Sequence, residues 1–196
     1  LQATAGSVGF VGLGEDVTIR ATDVQVQINQ ASVLTDAVVD YSAGKSELMN
    51  LTLDGAKGEY MQASGTLDIN VYGFVSVYGD LVVTKSSQNV KLARDTDGTV
   101  VNEKTTGITV DTLTIEGNNL NAFAGVNGGY QKDANGEYVL DGTGNVILSE
   151  SAMGLALSNV DFELAMLTQQ GAATHKWTSL QATAGSVGFV GLGEDV

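Results

Sequence analysis

Along most of this chain apolar and polar side chains alternate one for one. Val24, Val26 and Ile28 alternate with Gln25 and Gln27, and Leu67, Ile69 and Val71 with Asp68 and Asn70. Val160, Phe162, Leu164 and Met166 continue the same pattern further on. A period of two puts the apolar set on one face of an extended strand and the polar set on the other. A recurring unit joins two such runs across a small polar break. Leu113-Thr-Ile is followed by Glu-Gly-Asn-Asn and then Leu120-Asn-Ala122; Leu155-Ala-Leu157 is followed by Ser158-Asn159 and then Val160 to Leu164. The stretches Ile19 to Ile28 and Met61 to Val71 resemble these units. Between the runs lie Asp95-Thr-Asp97-Gly98, Asp133-Ala-Asn135-Gly136 and Asp54-Gly55-Ala-Lys-Gly58. Asn-Gly and Asp-Gly pairs supply the positive φ of tight hairpins, so neighbouring strands are expected to be mainly antiparallel. The one stretch open to a helix is Ser32–Tyr41, where Leu34, Val38 and Tyr41 share a helical face. The β-branched Val33 and Val39 fall off that stripe.

A long repeat organises the chain. Leu1–Val17 reads LQATAGSVGFVGLGEDV, and Leu180–Val196 reads the same, so the period is 179 residues. Residues 1–179 are one full period and residues 180–196 begin the next. Shorter echoes, at Phe10-Val11-Gly12-Leu13, Phe74-Val75-Ser76-Val77 and Phe123-Ala124-Gly125-Val126, keep no fixed interval. A parallel β-helix with one rung per coil would require one. Because no Pro-, Gly- or Ser-rich joint marks the period boundary, strand-like sequence runs through it from Thr178 to Phe189. The expected architecture is all-β: mainly antiparallel strands in a continuous tandem repeat, a solenoid-like tube or an extended sandwich. Leu180 to Val196 should then pair with, or pack on, strands from the end of the first period such as Val160 to Leu167.

Composition narrows the function. The chain has 196 residues, 43% of them apolar, with 25 Gly, no Pro and no Cys. Absent Cys excludes disulfides and thiolate metal sites, and absent Pro suits long paired strands. Nine basic against 23 acidic residues give a net charge of −14. No basic cluster is present to meet a nucleic acid, and an anionic membrane surface would repel the chain. No apolar run reaches the roughly 20 residues of a membrane-spanning helix. Starting at Leu1 rather than Met points to a stretch cut from a longer chain.

Candidate chemistry is sparse. His175 is the single histidine, close to Trp177, with neither a nucleophile motif nor further His or Cys ligands to join it. The carboxylates are scattered singly, usually at turns. Asp95 with Asp97, and Asp133 with Asn135, resemble half of a calcium loop. Each supplies about three of the six to eight oxygens that calcium takes, and each reads more simply as a hairpin turn. No enzyme and no resident cofactor are expected, with calcium the single candidate ion.

The segments LQATAGSVGFVGL (Leu1–Leu13), NNLNAFAGVNGGY (Asn118–Tyr130) and MGLALSNVDFELAML (Met153–Leu167) resemble repeat units of giant bacterial extracellular, adhesin-like proteins. The resemblance implies an extracellular or cell-surface location and a fibrous, spacing or adhesive role. It brings no catalytic residues. The expected function is a structural repeat of a long extracellular fibre, whose partners are neighbouring repeats and other copies of the fibre. The alternative is a self-contained adhesin module that binds a glycan or a protein.

Overall fold

The structure is a computed structural model that describes residues 1–11, 13–14, 16–32, 37–42, 50–93, 107–134, 138–142, 144–171 and 175–192. Its seven strands follow one another as a meander. They are β1 (Gln2–Gly9), β2 (Val17–Asn29), β3 (Tyr60–Val71), β4 (Val75–Val90), β5 (Ile108–Val126), β6 (Met153–Gln169) and β7 (Lys176–Val190). Strand order in the sheet is strand order in the chain, and every pair is antiparallel. The protein is thus all-β, as the alternation implies. Its described strands form one open layer, with β1 and β7 at opposite edges, and do not close into a tube. A short helical turn, the only one among the described residues, spans Gly55–Lys57 and is capped by Asp54, whose side chain accepts from the Ala56 amide.

The polar breaks are not turns. Each lies inside a single long strand and marks a β-bulge. Asp23 in β2, Asn119 in β5 and Asn159 in β6 have φ of 52°, 49° and 51°. Asn and Asp tolerate this left-handed region better than other residues with a Cβ. The ladders slip at the same points, between Thr22 and Gln25 and between Gly117 and Leu120. One added residue turns each later side chain to the other face, and the sequence compensates by shifting its alternation. In β2 the apolar set passes from Ile19 and Ala21 to Val24, Val26 and Ile28, so the same face stays apolar throughout. Met61 to Val71, which the pattern groups with these units, runs in unbroken register with β4.

The consequence is a sheet with two unlike faces. Cross-strand neighbours form rows such as Ala3–Val26–Ala63–Val83–Ile115–Leu164–Leu180. Five successive rows, from that one up to Val17–Val71–Val75–Ala124–Leu155–Phe189, contain no polar side chain. The opposite face carries Gln, Thr, Ser, Asn, Asp and Glu and is the one that the connecting segments cover. Residues 37–42 and 50–59 lie over the lower ends of β1–β3. There Leu53 and Tyr60 are buried, Asn29 donates to the Val39 carbonyl (3.0 Å), and the Thr52 amide donates to Gln2 Oε1 (3.2 Å). The described residues between 129 and 152 lie at the upper end, where Leu148 and Ala152 pack on Phe123 and Ala156.

One turn was not foreseen, and one expected helix is not found among the described residues. A three-residue turn, Tyr72-Gly73-Phe74, joins β3 to β4, with φ of 51° and 66° at its first two residues and the Phe74 amide donating to the Val71 carbonyl (2.9 Å). Nothing in its composition announced it. The described part of the proposed helix, residues 32 and 37–41, has no helical structure, and the Tyr41 amide donates to the carbonyl of Leu53, distant in sequence (2.8 Å).

Candidate assembly interface

Three surfaces stand out: two strand edges and the apolar face. The edges belong to the duplicated sequence. The first copy forms β1 and pairs with β2, Gln2 against Gln27 through Gly9 against Arg20. The second copy forms most of β7 and pairs with β6, Leu180 against Leu164 through Val190 against Gly154. Both copies run in the same direction with the same face apolar, yet they use opposite edges. Backbone bonding shows this directly. The Leu1 terminal ammonium donates to the Ile28 carbonyl (2.7 Å) and the Leu1 carbonyl accepts from the Ile28 amide (2.8 Å), so the backbone groups of Leu1 point toward β2. Between β6 and β7 the Gln169 amide donates to the His175 carbonyl (3.0 Å). Counting up the ladder by twos, the residues facing β6 include Ser179 and Gln181. Leu180, the counterpart of Leu1, therefore points its backbone groups outward. The edge that β6 leaves free is the edge that β2 occupies in the first copy.

On the apolar face, Phe189 is 71% exposed, Val187 61% and Val8 55%. An apolar hollow of about 170 Å³ opens at Gly65, lined by Ala21, Val24, Leu67, Leu81 and Val83 among others. Among the described strand residues, charged side chains reach this face only at its lower margin, where Lys85, Asp111 and Lys176 lie. Asp111 accepts from Gln170 (2.7 Å) and Ser87 (2.7 Å), and these bonds lower its pKa from the ordinary carboxylate value.

The polar face holds a tyrosine cluster. Asp68 is buried, accepts from the Tyr138 hydroxyl and from Arg20 (2.9 Å), and has Lys132 at 3.9 Å. The rings of Tyr78 and Tyr138 meet edge to face with centroids 4.6 Å apart; Tyr130 lies 6.0 Å from Tyr138. Burial raises the pKa of Tyr138 strongly, with the hydrogen bond and charge of Asp68 adding to it, and burial alone raises that of Tyr130. Beside the cluster a cleft of about 800 Å³ is bordered by Asp16, Tyr72, Phe74, Lys132 and Ser151. Sequence reasoning did not pick out these tyrosines. Tyr78 belongs to an alternating strand, and nothing local pairs it with Tyr138.

Of the calcium candidates, Asp133 is exposed in the turn before Tyr138, and Asp95, Asp97 and Asn135 fall outside the described residues. Among the described residues no three His, Cys, Asp or Glu side chains converge as a metal site would need. The His175 and Trp177 rings stack 6.3 Å apart at the β6–β7 hairpin. Of the three Phe echoes, Phe123 is a core residue 1% exposed, and Gly128 allows its ring close approach: a Cβ there would lie 1.9 Å from Phe123 Cε1. Phe10 and Phe74 are exposed. No described helix is long and apolar enough to cross a membrane. Comparison with protein-family models, with curated proteins and with solved structures found no match.

Proposed function

We propose that the chain is one structural period, plus the opening strand of the next, of a long bacterial extracellular fibre or surface protein that acts by stacking and extension. The observation that carries this reading is the use of one sequence as both outer strands, in the same orientation and through opposite edges. A single copy can hold both neighbours at once. Merging the two copies then leaves six strands per 179-residue period in a sheet that continues from one period to the next. Gln2 adds support, because its side chain is held by Thr52 of the following connection, and its counterpart Gln181 is exposed on the same face. Repeat proteins of this kind draw stability from the interfaces between neighbours. The acidic, Cys-free composition and the resemblance to adhesin-like repeats support the extracellular setting. No catalytic role is part of the proposal.

A chain carrying two full periods tests the reading. One continuous sheet unfolds in a single transition with a higher midpoint than one period, and lengthens by roughly 30 Å per added period at about 4.8 Å per strand. Two transitions, or a midpoint unchanged by the second period, would mean independent beads. Antibodies raised against the chain should label intact cells; labelling only after lysis would place it inside.

The second reading, an adhesin module, rests on the cleft beside Tyr130 and Tyr138. Its aromatic walls and Lys132 suit a glycan or a peptide, and screening a glycan array with the Tyr72→Ala variant as control tests it.

A further inference from the structure

We infer that the apolar face is covered by the same face of a second copy of this sheet, so that the working unit is a two-layer sandwich made by two chains. Three observations point to this occupant. The first concerns layers. A sheet with one apolar face is stable when that face packs on another layer, and the connecting segments described here both lie on the polar face. The second concerns charge. The chain carries −14 in total, so two copies repel wherever their carboxylates meet. The five apolar rows hold no charged side chain, and in a face-to-face pair the acidic faces point away from each other. A basic partner would find little on this face to attract it, whereas an uncharged copy of the face fits. The third concerns area. Seven strands about 4.8 Å apart, each about 12 residues long at about 3.3 Å per residue, make a plate of roughly 1,200 Å². Stable complexes bury about 800 Å² on each partner.

Shape agrees with this pairing. Along the row Val24–Gly65–Leu81–Gly117–Phe162–Ala182, large and small residues alternate. The hollow at Gly65 is a recess that a Leu81 or Val83 from an opposing sheet can enter. Two such sheets pack about 10 Å apart with their strands near −30°, and a twofold axis midway between the layers, over the middle of β4, brings Val83 close to its own copy.

Because the chain has no Cys, a single introduced thiol reports on one contact. Val83→Cys should cross-link two full-length chains through a short bis-maleimide, while Thr66→Cys on the polar face should not. Wild-type protein should sediment as a dimer at micromolar concentration, and Val77→Glu with Val83→Lys should shift it to monomer with its β-sheet circular dichroism kept. Edge pairing is separated by Ala182→Pro, since the Ala182 amide faces the free edge of β7. This change leaves a face-to-face dimer intact and abolishes an edge-to-edge one. A wild-type monomer at all concentrations, equal cross-linking from both faces, loss of the dimer in Ala182→Pro, or a face that binds neutral lipid vesicles in preference to itself overturns the inference.

Discussion

Asp68 shows how a single side chain ties the two halves of the polar face together. It sits on β3, nearly enclosed, yet its partners come from β2 (Arg20) and from the 129–152 connection (Lys132, Tyr138). A buried carboxylate is tolerated only when hydrogen bonds replace its water, and here the connection supplies part of the replacement. Tyr138→Phe keeps the ring stack and removes one donor. It should lower stability by about 1–3 kcal/mol, the usual cost of leaving a buried polar group short of a partner, measurable by urea unfolding. Alkaline pH acts on the same cluster. Tyr130 and Tyr138 have pKa values raised above the ordinary 10.0. Their protonated forms therefore support the fold fully below that pH. As pH climbs beyond about 10 the unfolded chain loses protons that the folded chain keeps, and stability falls. Ultraviolet titration should show these tyrosines ionising only together with unfolding. Free ionisation of all six tyrosines near pH 10 in folded protein would contradict the buried cluster.

At the scale of elements, the mid-strand bulges keep one face apolar over strands of up to 19 residues. Asn159 separates Leu157 from Val160 and takes a left-handed φ of 51°. Deleting it should throw Val160, Phe162, Leu164 and Met166 onto the polar face, giving an insoluble or unfolded chain. Asn159→Gly, which accepts that φ freely, should stay within about 0.5 kcal/mol of the parent. A soluble, folded deletion variant would mean that the bulge does not set the register. The strands themselves were legible from alternation, and so was the pairing of the second copy with the end of the first period. The bulges were half legible: the parity shift at Ser158-Asn159 was visible, but a break of two small polar residues reads equally as a turn. What decides between them is which strands lie alongside, a long-range matter. The Tyr72-Gly73 turn and the Tyr78–Tyr130–Tyr138 cluster were illegible for related reasons. Tyr is a poor local marker of positive φ, and the cluster joins residues 60 apart. Calcium binding at Asp95, Asp97, Asp133 and Asn135 stays an expectation from sequence.

Over the whole molecule, two truncations weigh the duplicated strand. A chain ending at Ser179 strips β6 of its neighbour, and one beginning at Thr18 strips β2. Both should become less soluble, because each bares an apolar strand edge. Since most of Leu180 to Phe189 is exposed in this chain, the stability loss should be modest, about 1–3 kcal/mol each, read from unfolding midpoints. An unchanged midpoint and solubility for either truncation would make that copy a loose tail. The meander also has a mechanical consequence. Every strand bonds only to its neighbours in sequence, and the two chain ends leave from opposite edges of the sheet. Tension on the ends therefore acts on one outer ladder at a time, as on the pull of a zipper, rather than shearing all the ladders at once. Each strand that peels away with its connection, some 30 residues, releases about 100 Å of slack. On relaxation its partner is again the adjacent stretch of chain, so it closes without a long search. Under load such a sheet behaves as a yielding tether, giving length in small steps at low force and winding it back in.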